Sequence, residues 1–118
     1  MNEADILVSG ATGRTGGAAI DTLLEMGMRV RAYVRSDDER AAGLRKRGVD
    51  IAVGSFAEID DIRVAMEGIR SAYFLHPIAP GIIGAAAYFA QAANAKQTAD
   101  GVNNYSLRLI FFNELMND

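Results

Sequence analysis

Three glycines, Gly10, Gly13 and Gly16, stand three residues apart in the stretch "ILVSGATGRTGG", residues 6–17. They follow a short apolar run and precede a segment whose apolar residues recur at helical spacing. That places them in the turn between a strand and a helix. The front of a helix carries N–H groups without intrahelical partners and a partial positive charge, and both attract phosphate. Gly10 permits the tight turn, Gly13 leaves main chain open to a diphosphate, and Gly16 lets the helix pack close against the sheet. A purely structural turn would have the same composition, so the strand–turn–helix context carries the distinction. Thr12, Arg14 and Thr15 lie in the same loop and join the candidate set.

The second cluster lies about 20 residues on, where a diphosphate site of this type meets the adenosine ribose. NAD-binding chains place an acid at the end of the second strand to hold the ribose hydroxyls; here Arg35 occupies that position and Ser36 follows. A guanidinium is a permanently charged fork of donors and suits a 2′-phosphate. The sequence therefore predicts NADP(H) in preference to NAD(H), with Arg14 approaching the same phosphate from the loop. Solvated surface arginines are the competing reading. Asp37 and Asp38 are expected to serve the first turn of the next helix, although a carboxylate there could also reach a ribose.

The elements that must position these residues alternate strictly. Strands are expected at 5–9, 28–35, 49–53, 71–78 and 106–112, and helices at 15–26, 36–48, 59–69 and 81–95. Ala18, Ala19, Leu23 and Met26 mark the inner face of the first helix, which ends at Gly27. Ser36 is the expected N-cap of the second, and Gly48 its end. Ile59, Ile62, Met66 and Ile69 give the third helix its apolar face. The polar stretch "NAKQTADGVNNY", 94–105, reads as loop. The result is an α/β, doubly wound parallel sheet of the Rossmann-like kind, about five strands alternating with four helices.

The loop "VSGATGRTGG" with "VRAYVRS" and "AVGSF" resembles the NmrA-like group of atypical short-chain dehydrogenases/reductases. That group includes NADPH-dependent quinone reductases and NADP-sensing regulators. The resemblance covers roughly residues 6–93 of a single domain spanning 1–118, and 94–118 departs from the family pattern. It implies cofactor roles for Arg14, Arg35 and Ser36. It also implies that Ser55 and Phe56, after the third strand, pass the adenine. Relatives commonly carry Gly-Asp where this chain has Gly54 and Ser55, and Phe56 reads equally as a core aromatic. His76, near the end of the fourth strand, is implied to lie beside the second ribose and nicotinamide. It is the one weak catalytic candidate, an acid/base near neutral pH, against a strand-end histidine with no chemistry.

Members of the standard short-chain type pair a tyrosine with a lysine four residues later. Here Tyr33, Tyr73, Tyr88 and Tyr105 are followed at that distance by Asp37, Pro77, Ala92 and Leu109. Relatives are also more than twice as long, with a substrate pocket from their C-terminal half. The expectation is thus a truncated nucleotide-binding half, a binding module or redox sensor. The alternative is a small NADPH-dependent oxidoreductase completed by oligomerisation. The apolar fifth strand and alanine-rich fourth helix suggest a homodimer through one of them.

Composition narrows the remaining classes. The chain has 118 residues, 12 Lys and Arg against 15 Asp and Glu, a net charge of −3, and no cysteine. The acidic balance argues against a broad nucleic-acid footprint. Without cysteine there are no disulfides or thiolate metal sites, and one histidine makes a conventional zinc site improbable. Neither an export signal nor a membrane-spanning run is evident, so a cytoplasmic location is expected.

Overall fold

The computed structural model describes residues 4–77, 81–100 and 106–112, with side chains over 4–75 and 81–92. Strands β1 (Ile6–Ser9), β2 (Val30–Val34), β3 (Asp50–Val53), β4 (Ser71–Pro77) and β5 (Ser106–Phe112) alternate with helices α1 (Arg14–Glu25), α2 (Glu39–Lys46), α3 (Ile59–Ala65) and α4 (Ile82–Asp100). All five strands are parallel and lie in the order β3-β2-β1-β4-β5. The α/β doubly wound architecture expected from the sequence is therefore the observed one.

Period-two alternation divides the core into two layers. Ile6 and Val8 of β1, with Val30, Ala32 and Val34 of β2, pack toward Ile20 and Leu23 of α1 and Ala41 and Leu44 of α2. On the other face Leu7, Tyr33 and Phe74 meet Ile62, Ala65 and Met66 around α3 and Phe89 and Ala92 of α4. Ile6, Leu7 and Val8 are all at most 1% exposed, so β1 is covered on both faces, as a central parallel strand must be.

Several details differ from the sequence expectation. The buried stripe of α1 is Gly16, Ile20 and Leu23, while Met26 is 68% exposed. The helix begins at Arg14, one residue early, and Ile20 is fully buried. The N-cap of α2 is Asp38, not Ser36: its carboxylate accepts from the main-chain N–H groups of Arg40 at 3.0 Å and Ala41 at 3.3 Å. Ser36 instead donates to Asp38 at 3.3 Å. Finally α4 runs to Asp100, so residues 94–100 are helical rather than loop. Alanine, lysine and glutamine extend a helix readily once packing has nucleated it.

Arg31 is the unexpected core residue. It is the second residue of β2 and 2% exposed. Its Nε donates to Asp50 at 2.8 Å, and its Nη1 donates to the carbonyls of Ala65 and Glu67 at 2.7 Å each. Ala65 is the last residue of α3 and Glu67 lies just past its cap, Met66, where main-chain acceptors lack intrahelical partners. One guanidinium thus neutralises an acid and caps a helix across 36 residues of sequence.

Candidate functional site

The sheet order reverses between β1 and β4, the kind of switch point at whose strand carboxyl ends open α/β sheets bind ligands. Pairing of β1 with β4 stops at Val8–Tyr73, whereas β4 continues beside β5 as far as Pro77–Phe112. The end of β4 therefore stands past the end of β1, next to the glycine-rich turn.

That turn is built by steric demands that differ at each glycine. Gly10 has φ +63°, a conformation that side chains disfavour, and a Cβ there would lie 2.8 Å from the carbonyl oxygen of Leu75. A Cβ at Gly16 would collide with the carbonyl oxygen of Gly10 and lie 2.6 Å from its carbon and 2.9 Å from Ala11 Cα. The nearest approach that Gly16 permits is thus that of α1 to the turn at Gly10 and Ala11. Gly13 is the exception. Its φ is −83°, and a Cβ would meet only the Gly10 oxygen, at 3.4 Å.

Gly13 is also the N-cap of α1, and it supplies no side-chain cap. The first turn of the helix contains no acid. Ser, Thr, Asp and Asn are the stronger caps, so a glycine here brings no capping side chain to the front of the helix. The arrangement can take an anion without displacing any carboxylate from that turn. Among these loop residues Gly13 and Arg14 are exposed, and Thr12 and Thr15 are half-buried.

Because the strands are parallel, the other predicted residues gather at the same edge. Arg35 and Ser36 follow β2 and are exposed. Gly54 follows β3 and donates its N–H to the Val34 carbonyl at 2.9 Å, which joins the two loops. His76 lies in β4 opposite Phe111 of β5. Its side chain is outside the described residues.

The acids after β2 are both engaged. Asp37 forms a two-pronged pair with Arg45, at 2.6 and 2.9 Å. Hydrogen bonding from Arg45 holds its carboxyl below the ordinary range and pushes the Arg45 guanidinium higher still. Asp38 adds a 3.0 Å contact with the Arg40 guanidinium to its capping bonds, and its carboxyl is likewise lowered, first by Arg40.

Ser55 is fixed through its main chain. Its N–H donates to Asp61 at 3.0 Å, and its carbonyl accepts from the Tyr33 hydroxyl at 2.7 Å. Burial, and secondarily the Asp61 charge, push the Tyr33 hydroxyl well above the ordinary tyrosine range, so it stays protonated as a donor. A Cβ at Gly54 would lie 2.5 Å from the Tyr33 hydroxyl, so the glycine is demanded by this network. Phe56 is half-buried and packs edge-on to Tyr33 and Phe74 with ring centroids 5.7 and 5.9 Å apart. It is an aromatic-core residue at the margin of the site.

Ser9, Tyr33 and Asp61 are the positioning residues that sequence reasoning overlooked. Ser9 left one signal, a polar residue closing an otherwise apolar strand. Among the described residues, no cluster of His, Asp and Glu could hold a metal ion, and no helix is long and apolar enough to cross a membrane.

A glycine-rich strand-to-helix turn at the switch point of a parallel, doubly wound sheet defines a Rossmann-like domain. The family is equally plain. The model of the NmrA-like family matches residues 2–118, and the chain belongs to that family. The structure of the NADPH-dependent quinone oxidoreductase QOR2 of Escherichia coli, complexed with NADPH, superposes with a TM-score of 0.69 at 20% identity, over 82% of this chain and 34% of that one. Citrobacter sp. triphenylmethane reductase complexed with NADP(H) gives 0.67 at 26% identity, over 83% and 34%. In sequence, the chain is 39% identical over 67 residues to sterol demethylase protein B of Methylococcus capsulatus, covering 57% of this chain and 20% of that protein. The chain spans about a third of these solved structures and a fifth of this curated relative.

Proposed function

We propose that this chain is an NADP(H)-binding module of the NmrA-like family, acting as a dinucleotide-binding unit or redox sensor. The observation that carries this reading is Gly13. Neither its φ nor the space around it requires glycine, yet it sits exposed at the uncapped front of α1. A side chain there would fill the volume beside the helix amides, so the residue fits a bound diphosphate. Gly10, Thr12, Thr15 and Gly16 would shape and line the cradle. Arg14, Arg35 and Ser36 would hold the 2′-phosphate, Ser55 and Phe56 would flank the base, and His76 would stand by the nicotinamide half.

An oxidoreductase reading is favoured by the likeness to the Citrobacter reductase, at 26% identity. When bound, the nicotinamide supplies hydride chemistry, which requires a substrate against the ring and water held away. A partner copy docking through β5 or α4 would provide that enclosure, and sedimentation equilibrium would reveal a dimer at micromolar concentration.

Titration with NADPH and NADH, followed by nucleotide fluorescence and melting temperature, tests the module. At about 100 times Kd a ligand adds about 2.7 kcal/mol to stability, a clear thermal shift. Arg35→Asp is expected to weaken NADPH at least about tenfold more than NADH, a difference of about 1.4 kcal/mol. Equal losses would remove the phosphate role of Arg35. Loss of nicotinamide absorbance on adding a quinone panel would favour the enzyme.

A further inference from the structure

The turn from β2 to α2 presents a problem of charge. It carries Arg35 and Ser36, the residues assigned above to a phosphate, and then Asp37 and Asp38. Free carboxylates beside a phosphomonoester repel it, and a free carboxylate at the end of β2 is what NAD-type sites use for ribose hydroxyls. Left to themselves, these acids would oppose the phosphate.

The two are restrained in different ways. Asp38 is bound to main chain, since it caps α2 through Arg40 and Ala41. Freeing it would uncap the helix. Asp37 gives both oxygens to one side chain, Arg45, which reaches back from the last turn of α2, eight residues on. The geometry is the two-pronged guanidinium–carboxylate fork, which fixes direction as well as charge. It ties both Asp37 oxygens to α2 and sets the Arg45 charge against the Asp37 charge. The pair is half-exposed on each side, so its contribution to folding is small.

We propose that Arg45 is a specificity-determining residue acting through Asp37: by holding that carboxylate it keeps the turn after β2 receptive to a 2′-phosphate. The proposal rests on the NADP(H) reading above. Release of Asp37 would give the turn a free acid, an acceptor for ribose hydroxyls and a repellent for phosphate.

The test is the ratio of Kd for NADH to Kd for NADPH in the full chain, with 2′,5′-ADP as a probe of the phosphate subsite. Arg45→Gln removes the charge and the guanidinium fork and keeps a polar side chain that suits a helix. It is expected to lower the ratio about tenfold, chiefly by weakening NADPH, and to do so less at about 0.5 M salt. Adding Asp37→Asn to Arg45→Gln is expected to restore the ratio, which a merely structural role for Arg45 would not allow. An unchanged ratio in Arg45→Gln, or no recovery in the double variant, overturns the proposal while leaving NADP(H) binding intact. Failure of the wild-type chain to bind 2′,5′-ADP overturns the NADP(H) reading, and this inference with it.

Discussion

The hydroxyl of Ser9 makes two hydrogen bonds to the main chain of Leu75. It accepts from the Leu75 N–H at 2.9 Å and donates to the Leu75 carbonyl at 3.1 Å. Both residues are buried, and they sit just beyond the last paired residues of β1 and β4. A side chain thus replaces the ladder where the strands part. The Leu75 carbonyl it holds is the atom that bars a side chain at Gly10. Ser9→Ala would leave two buried main-chain groups without this partner, at a cost of about 1–3 kcal/mol. A lower urea midpoint, with faster amide exchange at Leu75, is the expected result. An unchanged midpoint would mean that the strands close over the gap.

The glycines of the loop can be separated by one substitution each. Gly17→Ala meets nothing within 4 Å inside α1. It should leave nucleotide binding intact and raise stability by about 0.5–1 kcal/mol through the higher helix propensity of alanine. Gly16→Ala drives a Cβ into the Gly10 carbonyl, so both stability and binding should fall. Gly13→Ala is the informative case. Its stability should change by about 1 kcal/mol or less, as expected for a weak N-cap. Its nucleotide affinity should drop at least about tenfold, a loss of about 1.4 kcal/mol. Chemical denaturation beside fluorescence titration reads both quantities, and unaltered affinity in Gly13→Ala would remove the main support for the binding site.

Arg31→Met tests the buried cation. The substitution leaves Asp50 without its guanidinium and strips the Ala65 and Glu67 carbonyls of their donor. Breaking a buried pair from one side costs about 3–5 kcal/mol, a large part of a small domain's stability. Equilibrium unfolding should show the loss, and Arg31→Met with Asp50→Leu should recover part of it. A single variant as stable as wild type would show that water reaches those carbonyls.

What was legible in the sequence follows from range. The glycine turn, the alternation of strands and helices, and the buried run Ile6–Val8 are local patterns, and each appears in the structure as expected. The cap of α2 was harder, because Ser36, Asp37 and Asp38 all have capping side chains. The chain uses Asp38, and local composition cannot rank three adjacent candidates. The extent of α4 was obscured by polarity, which marks exposure as well as loops. Arg31 was invisible for another reason. Its partners Asp50, Ala65 and Glu67 are 19, 34 and 36 residues away, so only the folded chain shows that its charge is answered. Ser55 and Phe56 were placed by resemblance alone, and the Tyr33–Ser55 bond that fixes their loop spans 22 residues.

Acid should expose the ion pairs selectively. The carboxyls of Asp5, Asp37 and Asp38 are all lowered below their ordinary value of 3.8, chiefly by hydrogen bonds from Arg29, Arg45 and Arg40 respectively. Each therefore binds its proton less readily folded than unfolded. Their contribution to stability is complete above the unfolded value and is lost as pH falls through the folded values. The urea midpoint is expected to hold steady between about pH 7 and pH 5 so far as these groups act, and to decline below about pH 4. Since the pairs are exposed, the decline should shrink at about 0.5 M sodium chloride, where screening has already weakened them. The Asp37→Asn variant should lose less midpoint than wild type over the acid limb, because one of the three groups no longer titrates. A midpoint that had already dropped by pH 5, or an acid limb indifferent to salt, would assign the pH dependence to groups other than these aspartates.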